Sequence, residues 1–174
     1  PVGRLCREKG IRLLLWFEPE RIVFAYQAKD LPDRFILHRT LRDQNGEEKE
    51  ADTGLLNLGD PECLRWLIEK TDKTIKDAGI SIYRQDFNME ALDYWLQNDG
   101  PDRLGMTENL HIQGYLAYWD TLRERNPDLL IDSCASGGRR NDLETMRRAI
   151  ALHPTDYGYG HHPVKQLFYK AMTE

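Results

Sequence analysis

In the segment YRQDFN at residues 83–88, a strand-like run, Gly79-Ile80-Ser81-Ile82-Tyr83, leads into a carboxylate at Asp86. The C-terminal tip of a buried parallel strand is where an α/β scaffold usually keeps reactive groups. WFEPE at 16–20 repeats the device, as does DSCASGGRRND at 132–142 with Asp156 just beyond it. Two carboxylates that reach one cavity from different strands can hydrolyse glycosides. One serves as acid and the other as base or nucleophile, and their environments separate their pKa values. Asp86 is the better nucleophile candidate: Arg84 lies two residues before it on the same face of the strand, and a nearby cation keeps a carboxylate ionised. The competing reading has Asp86 capping the next turn through Asn88 and Met89.

Ser136-Gly137-Gly138-Arg139-Arg140 follows a strand pattern with small residues, which let a backbone approach a ligand closely. Exposed N–H groups at Ser136 and Gly137 would grip an oxyanion or a sugar hydroxyl. The alternative is a tight strand-to-helix turn with Asp142 as N-cap. The run is neither GxGxxG nor GxxxxGK[ST], so a nucleotide site has no support. Cys134 beside the turn reads as a small buried residue rather than a reactive thiol. Trp16 and Tyr83 offer an aromatic wall for a sugar ring, with core packing the favoured reading of Tyr83. One of Glu18 and Glu20 holds the strand-end rim by hydrogen bonds. His153, His161 and His162 lack HExxH spacing, and no metal or cofactor is expected.

These residues need a scaffold that collects strand ends. At 174 residues the chain can bury a core, and its net charge of −5 gives no reason to expect nucleic acid. With a mean hydropathy of −0.66 and no apolar run of about 20 residues, no membrane span is expected. Three scattered cysteines (Cys6, Cys63, Cys134) fit neither a disulfide framework nor a zinc site and favour a reducing, cytoplasmic setting.

Residues 3–9 have helical character, and the apolar run at 11–17 reads as a fully buried strand. From 20 to about 52 the chain has no clean period, only partial alternation at 35–41 and a small hairpin turned by Asn45-Gly46. Asp60 as N-cap and Pro61 at the first position predict a helix over 61–78, closed by Gly79. A strand at 80–87 follows, then a short helix or loop at 88–98 and a helix over 109–125. A strand at 129–132, a helix at 142–149, a fourth strand at 151–153 and a helix at 164–172 complete the pattern. Parallel strands with helical crossovers build a barrel or an open sheet, and in both the strand-end loops gather at one face. Trp16, Glu18, Asp86, Cys134 and Asp156 would converge there.

Taken together, LLLWFEPE (13–20), LLNLGDPE (55–62), YRQDFN (83–88), DSCASGGRRND (132–142) and HPTDYG (153–158) resemble the catalytic barrel of glycoside hydrolase family 36, the α-galactosidases or melibiases. The segments occur in the family's order and span nearly the whole chain. The resemblance implies retaining hydrolysis of terminal α-galactosides of the raffinose and melibiose type, through a covalent galactosyl-enzyme. Asp86 matches the nucleophile and Asp156 the general acid/base, while Asp142 matches the residue that closes the glycine turn. Trp16 matches an aromatic of the pocket wall, and Cys134 a cysteine near the bound galactose. Arg84 falls where the family commonly has lysine beside the nucleophile, and Asn88 lies near the ring.

The family's usual third glycine is Arg139 here, which sets a bulky cation near the mouth. By the same mapping, residues 1–174 cover about strands three to six of a (β/α)8 TIM barrel, with a rim excursion at about 20–55. Flanking strands and β domains are expected to lie outside it, so the chain alone is expected to be inactive and to associate, with a homo-oligomer as the natural form. Two other functions fit the pattern: galactosyl transfer of the raffinose-synthase type, and a non-catalytic carbohydrate- or anion-binding module.

Overall fold

The computed structural model describes residues 2–27 and 30–156. In chain order the first elements are α1 (Val2–Glu8), β1 (Leu14–Phe17), β2 (Arg21–Val23), α2 (Phe24–Gln27), a 3-10 turn (Asp33–Phe35), β3 (Ile36–Leu37), β4 (Thr40–Arg42), β5 (Glu48–Glu50) and β6 (Thr53–Leu56). They are followed by α3 (Pro61–Ala78), β7 (Ile82–Gln85), α4 (Leu92–Leu96), α5 (Met106–Arg125), β8 (Leu130–Ser133) and α6 (Leu143–Met146). The chain divides into two compact units, one from residues up to 18, 72–88 and 122 onward, the other from 19–71 and 89–121.

The first unit holds a parallel three-stranded sheet in the order β1-β7-β8. Its core includes Ile75, Ile80, Tyr83, Leu122 and Ile131, all buried. Helix α3 ends in this unit by a Schellman cap: Gly79 takes φ +67° and the Ile80 N–H donates to the Ile75 carbonyl at 3.0 Å, while both isoleucines are buried. That cap delivers the chain directly into β7.

Two expectations fail here. The strand at 11–17 is only four residues long, and it is not fully buried, because β1 is an edge of its sheet; Leu14, Leu15 and Trp16 stay 36%, 37% and 51% exposed. Residues 151–153 do not form a fourth strand. The pairing stops after one parallel bridge, Asp132↔Ile150, because the Leu152 N–H donates to the Asp132 side chain at 2.9 Å instead of continuing the backbone ladder.

The second unit contains the excursion, which is more ordered than its sequence suggests. An antiparallel sheet in the order β2-β6-β3 buries Ile22, Ile36, Leu37, Leu55 and Leu56, and β4 pairs with β5. Strands of two to four residues are too short to show a period, which is why the sheet escapes sequence reading. The Asn45-Gly46 hairpin does form, with Asp43 Oδ1 accepting from the N–H groups of Asn45 (2.8 Å) and Glu47 (2.9 Å).

Helix α3 starts in this unit as expected, with Asp60 Oδ1 accepting from Glu62 N (2.8 Å) and Cys63 N (3.0 Å). Helix α5 begins earlier than expected because the Asp99 carboxylate accepts from the N–H groups of Gly105 and Thr107 at 2.6 and 2.8 Å. Glu20, one of the two glutamates considered for the rim, is fully buried against His111 at 2.8 Å. No helix of the described residues is long and apolar enough to cross a membrane. The expected helix at 164–172 and the pair His161-His162 lie outside the described residues.

Candidate active site

The parallel register assembles the site in rows within the first unit. Trp16, Arg84 and Asp132 are partners across β1, β7 and β8. Paired residues of a parallel sheet share a face, and side chains alternate along each strand. Two residues further, Glu18, Asp86 and Cys134 therefore continue that face beyond the strand ends. The positions just before that row, Tyr83 and Ile131, turn to the core, and Tyr83 packs there, stacked on Phe17 at 4.8 Å.

Asp86 is ringed by donors. Trp16 Nε1 donates to its Oδ2 at 3.1 Å, while Phe87 N (2.8 Å) and Ser136 N (3.2 Å) donate to Oδ1. Its carboxylate thus joins three segments rather than only capping its own turn. Burial raises the carboxyl pKa, but hydrogen bonds from Asn88, Trp16, Phe87 and Ser136 outweigh it and hold Asp86 below the ordinary carboxylate range. The cation expected to do this is not the main cause. Arg84 Nη1 pairs with Asp132, and the largest lowering contributions on Asp86 come from neutral donors.

An ionised Asp86 is thus favoured to below the ordinary carboxylate range. Replacing Trp16→Phe removes a donor that favours the charged form, so the titration of Asp86 should move to higher pH. An NMR titration of the Asp86 carboxyl carbon measures this; an unmoved midpoint would remove the indole from the causes that favour the anion.

Asn88 is held from two sides: its N–H donates to Glu18 Oε1 at 2.7 Å, and its side-chain oxygen accepts from Ser136 Oγ at 2.8 Å. Glu18 is thus the glutamate that holds the rim. Cys134 is buried, and burial together with the neighbouring Asp86 charge pushes its thiol up, so it sits beside Asp86 as a neutral group.

The glycine-rich turn carries backbone strain at Ser136, a non-glycine residue at φ +45°. That conformation aims its N–H at Asp86 and its hydroxyl at Asn88. Gly137, at φ +86°, is tightly approached: a Cβ there would stand 3.0 Å from Asp156 N and 3.3 Å from Thr155 Cα. A Cβ on Gly138 would meet the Pro154 carbonyl oxygen at 2.5 Å. The backbone of 154–156 therefore runs against this turn, so Asp86 and Asp156 flank Ser136-Gly137, and Asp156 is exposed.

Arg139 is exposed on this turn. It folds back over the turn, donating to Ala135 O (3.3 Å), Phe87 O (3.1 Å) and Ser136 Oγ (3.3 Å), and so ties the loops after β7 and β8 together. Arg140 stacks its guanidinium 3.7 Å from the Phe87 ring centroid. Asp142 caps α6, accepting from Thr145 N at 2.8 Å. Among the described residues, no group of three or more His, Cys, Asp or Glu side chains is placed to hold a metal ion.

Asp132 is the residue that sequence reading passed over. A carboxylate inside the apolar run LLIDS was the available signal, because a buried charge requires a partner, and Arg84 on the adjacent strand supplies one.

Residues 3–165 match the family model described as Melibiase. The chain is 28% identical over 137 residues to alpha-galactosidase Mel36A of Lactobacillus acidophilus, which covers 78% of this chain and 18% of that protein. It is 22% identical over 141 residues to alpha-galactosidase AgaA of Geobacillus stearothermophilus, covering 81% of this chain and 19% of that protein. The chain thus spans about a fifth of the length of the curated relatives it matches. In fold it is similar to the solved GH36 alpha-galactosidase AgaA, with TM-score 0.70, 23% identity, and coverage of 88% of this chain and 21% of that one. The alpha-galactosidase of Lactobacillus brevis gives TM-score 0.67 at 24% identity over 84% of this chain and 19% of that one. Variants of AgaA have been solved in complex with stachyose and with raffinose.

Proposed function

Because the chain belongs to the Melibiase family, we propose that it carries the two catalytic carboxylates of a retaining α-galactosidase. The observation that carries this reading is the donor ring around Asp86, which favours a carboxylate anion at the end of β7 with Asp156 across the Ser136-Gly137 turn. An Asp86 oxygen attacks the anomeric carbon while Asp156 passes its proton to the departing glycosidic oxygen. Asp156 then takes a proton from water, whose oxygen displaces Asp86 and releases α-galactose. Two inversions give net retention.

In the same reading the Trp16 indole forms one wall of the sugar site, with Arg84, Asn88, Cys134 and the Ser136-Gly137 turn around the ring. The parallel sheet is read as part of a (β/α)8 barrel. The substrate class, raffinose- and melibiose-type oligosaccharides, follows from the relatives' names and from the sugars bound to AgaA. A homo-oligomer in a cytoplasmic setting completes the reading; the free thiols of Cys6, Cys63 and Cys134 fit a reducing compartment.

The deciding experiment follows the intact protein and an aryl α-galactoside by NMR. α-Galactose should appear first and mutarotate later. β-Galactose as the first product would mean an inverting enzyme and sink the double displacement, and galactosyl transfer to an added sugar in place of hydrolysis would reassign the reaction.

A further inference from the structure

Asp132 is fully buried in β8, and its two oxygens are divided between two parts of the site. Oδ2 receives the Arg84 guanidinium, across the ladder on β7 and two residues before Asp86. Oδ1 accepts the Leu152 N–H at 2.9 Å. The backbone on either side of that second bond shows what it replaces. Ile150 N donates to Ile131 O at 2.9 Å and Ser133 N to Ile150 O at 2.7 Å, so a fourth strand begins to form beside β8. The next ladder bond from Leu152 would go to a backbone carbonyl; the Asp132 side chain takes it instead. The chain is thereby released from the sheet at Leu152 and led along the glycine turn, where Gly137 and Gly138 lie against Asp156 and Pro154.

We infer that Asp132 is a positioning residue that places the Asp156 segment against the Asp86 strand, with one carboxylate oxygen for each side of the site. This rests on the α-galactosidase reading. The Leu152 bond sets where the segment leaves the sheet, four residues before Asp156, so its loss misplaces the proton donor. The Arg84 bond fixes a cation beside the nucleophile, so its loss acts on sugar binding. The two links therefore separate in kinetics.

The test measures kcat/KM of the intact protein for an unactivated oligosaccharide and for an activated aryl α-galactoside, whose leaving group departs without a proton. Functional sites are counted with a covalent galactosyl inactivator, so partial unfolding cancels. In Asp132→Ala the preference for the activated substrate should widen by about tenfold or more, the scale of a catalytic group displaced by a fraction of an ångström to an ångström. A merely structural role would leave the ratio unchanged, and that result overturns the inference.

Should the alanine variant fail to fold, the double variant Asp132→Asn with Arg84→Met decides, because it removes both buried charges together and keeps an amide oxygen for Leu152 N–H. Its ratio should stay within about threefold of the parent while KM rises, and a tenfold shift there overturns the inference, since a retained Leu152 bond preserves the orientation that catalysis needs. If the parent traps no galactosyl-enzyme, the α-galactosidase reading itself is defeated; a trapped parent with an unmoved ratio defeats only the role of Asp132.

Discussion

Asp86→Asn should lower turnover of every α-galactoside by on the order of 10⁴-fold or more, with no trapped galactosyl-enzyme, as expected when an activated nucleophile is removed. The substitution keeps the shape of the side chain but replaces a carboxylate anion with a neutral amide. Three N–H donors converge on the native carboxylate, from Trp16, Phe87 and Ser136. An amide offers one acceptor oxygen, so in either orientation its NH2 faces at least one of those donors. The variant thus loses the nucleophile and disorders its support. Asp86→Gly opens the space, and azide should then restore turnover by attacking the same face, giving β-galactosyl azide. Turnover of Asp86→Asn within about tenfold of the parent would remove Asp86 from the chemistry, because a nucleophile is not replaced by its amide at that small a loss. Ligand binding that persists in this variant, with no covalent intermediate in the parent either, would favour a binding module.

How far the sequence anticipates these residues depends on how local their signals are. Asp60-Pro61 and Gly79 mark both ends of α3 because caps are set by single residue types. Asp86, Cys134 and the Ser136-Gly137 turn stand out because each follows an apolar strand, and the parallel register then brings them together. What the sequence hides is set by long-range partners. The three-stranded antiparallel sheet is built from strands of two to four residues, and only pairing defines them. The expected fourth strand has the right composition but loses its ladder to one side chain, Asp132. Alternation puts Arg84 on the same face as Asp86, yet its charge pairs with Asp132, which sits on a strand almost fifty residues away. Arg139 is exposed, as its residue type suggests, but its bond to the Phe87 carbonyl, in the loop after β7, cannot be read from the turn alone. Periodicity gives the face a residue occupies, whereas the partner it finds there is a tertiary outcome.

Asp156→Asn should separate substrates by leaving group. An oligosaccharide, whose departing alkoxide needs a proton, should lose about 10²–10⁴-fold in kcat/KM, the usual contribution of a general acid. An activated aryl galactoside should retain kcat/KM, which reports only the steps through formation of the galactosyl-enzyme. Its kcat should fall, because the same residue must next deprotonate water, and the covalent intermediate should accumulate. The neighbouring aspartate is the natural control. The Asp142 side chain is engaged as the N-cap of α6, accepting from Thr145 N at 2.8 Å. Asp142→Asn should therefore cost no more than about 1 kcal/mol of stability, since asparagine is itself a good N-cap, and should leave the leaving-group dependence untouched. Asp156 has the position the acid requires: exposed, with its backbone against Gly137, whose neighbour Ser136 donates to Asp86. If Asp142→Asn discriminated between leaving groups and Asp156→Asn did not, the proton donor would be Asp142, and the assignment of Asp156 would fall. The hydrogen bond at Thr145 argues against that exchange, because it holds the Asp142 side chain on the first turn of α6 and so accounts for this carboxylate structurally.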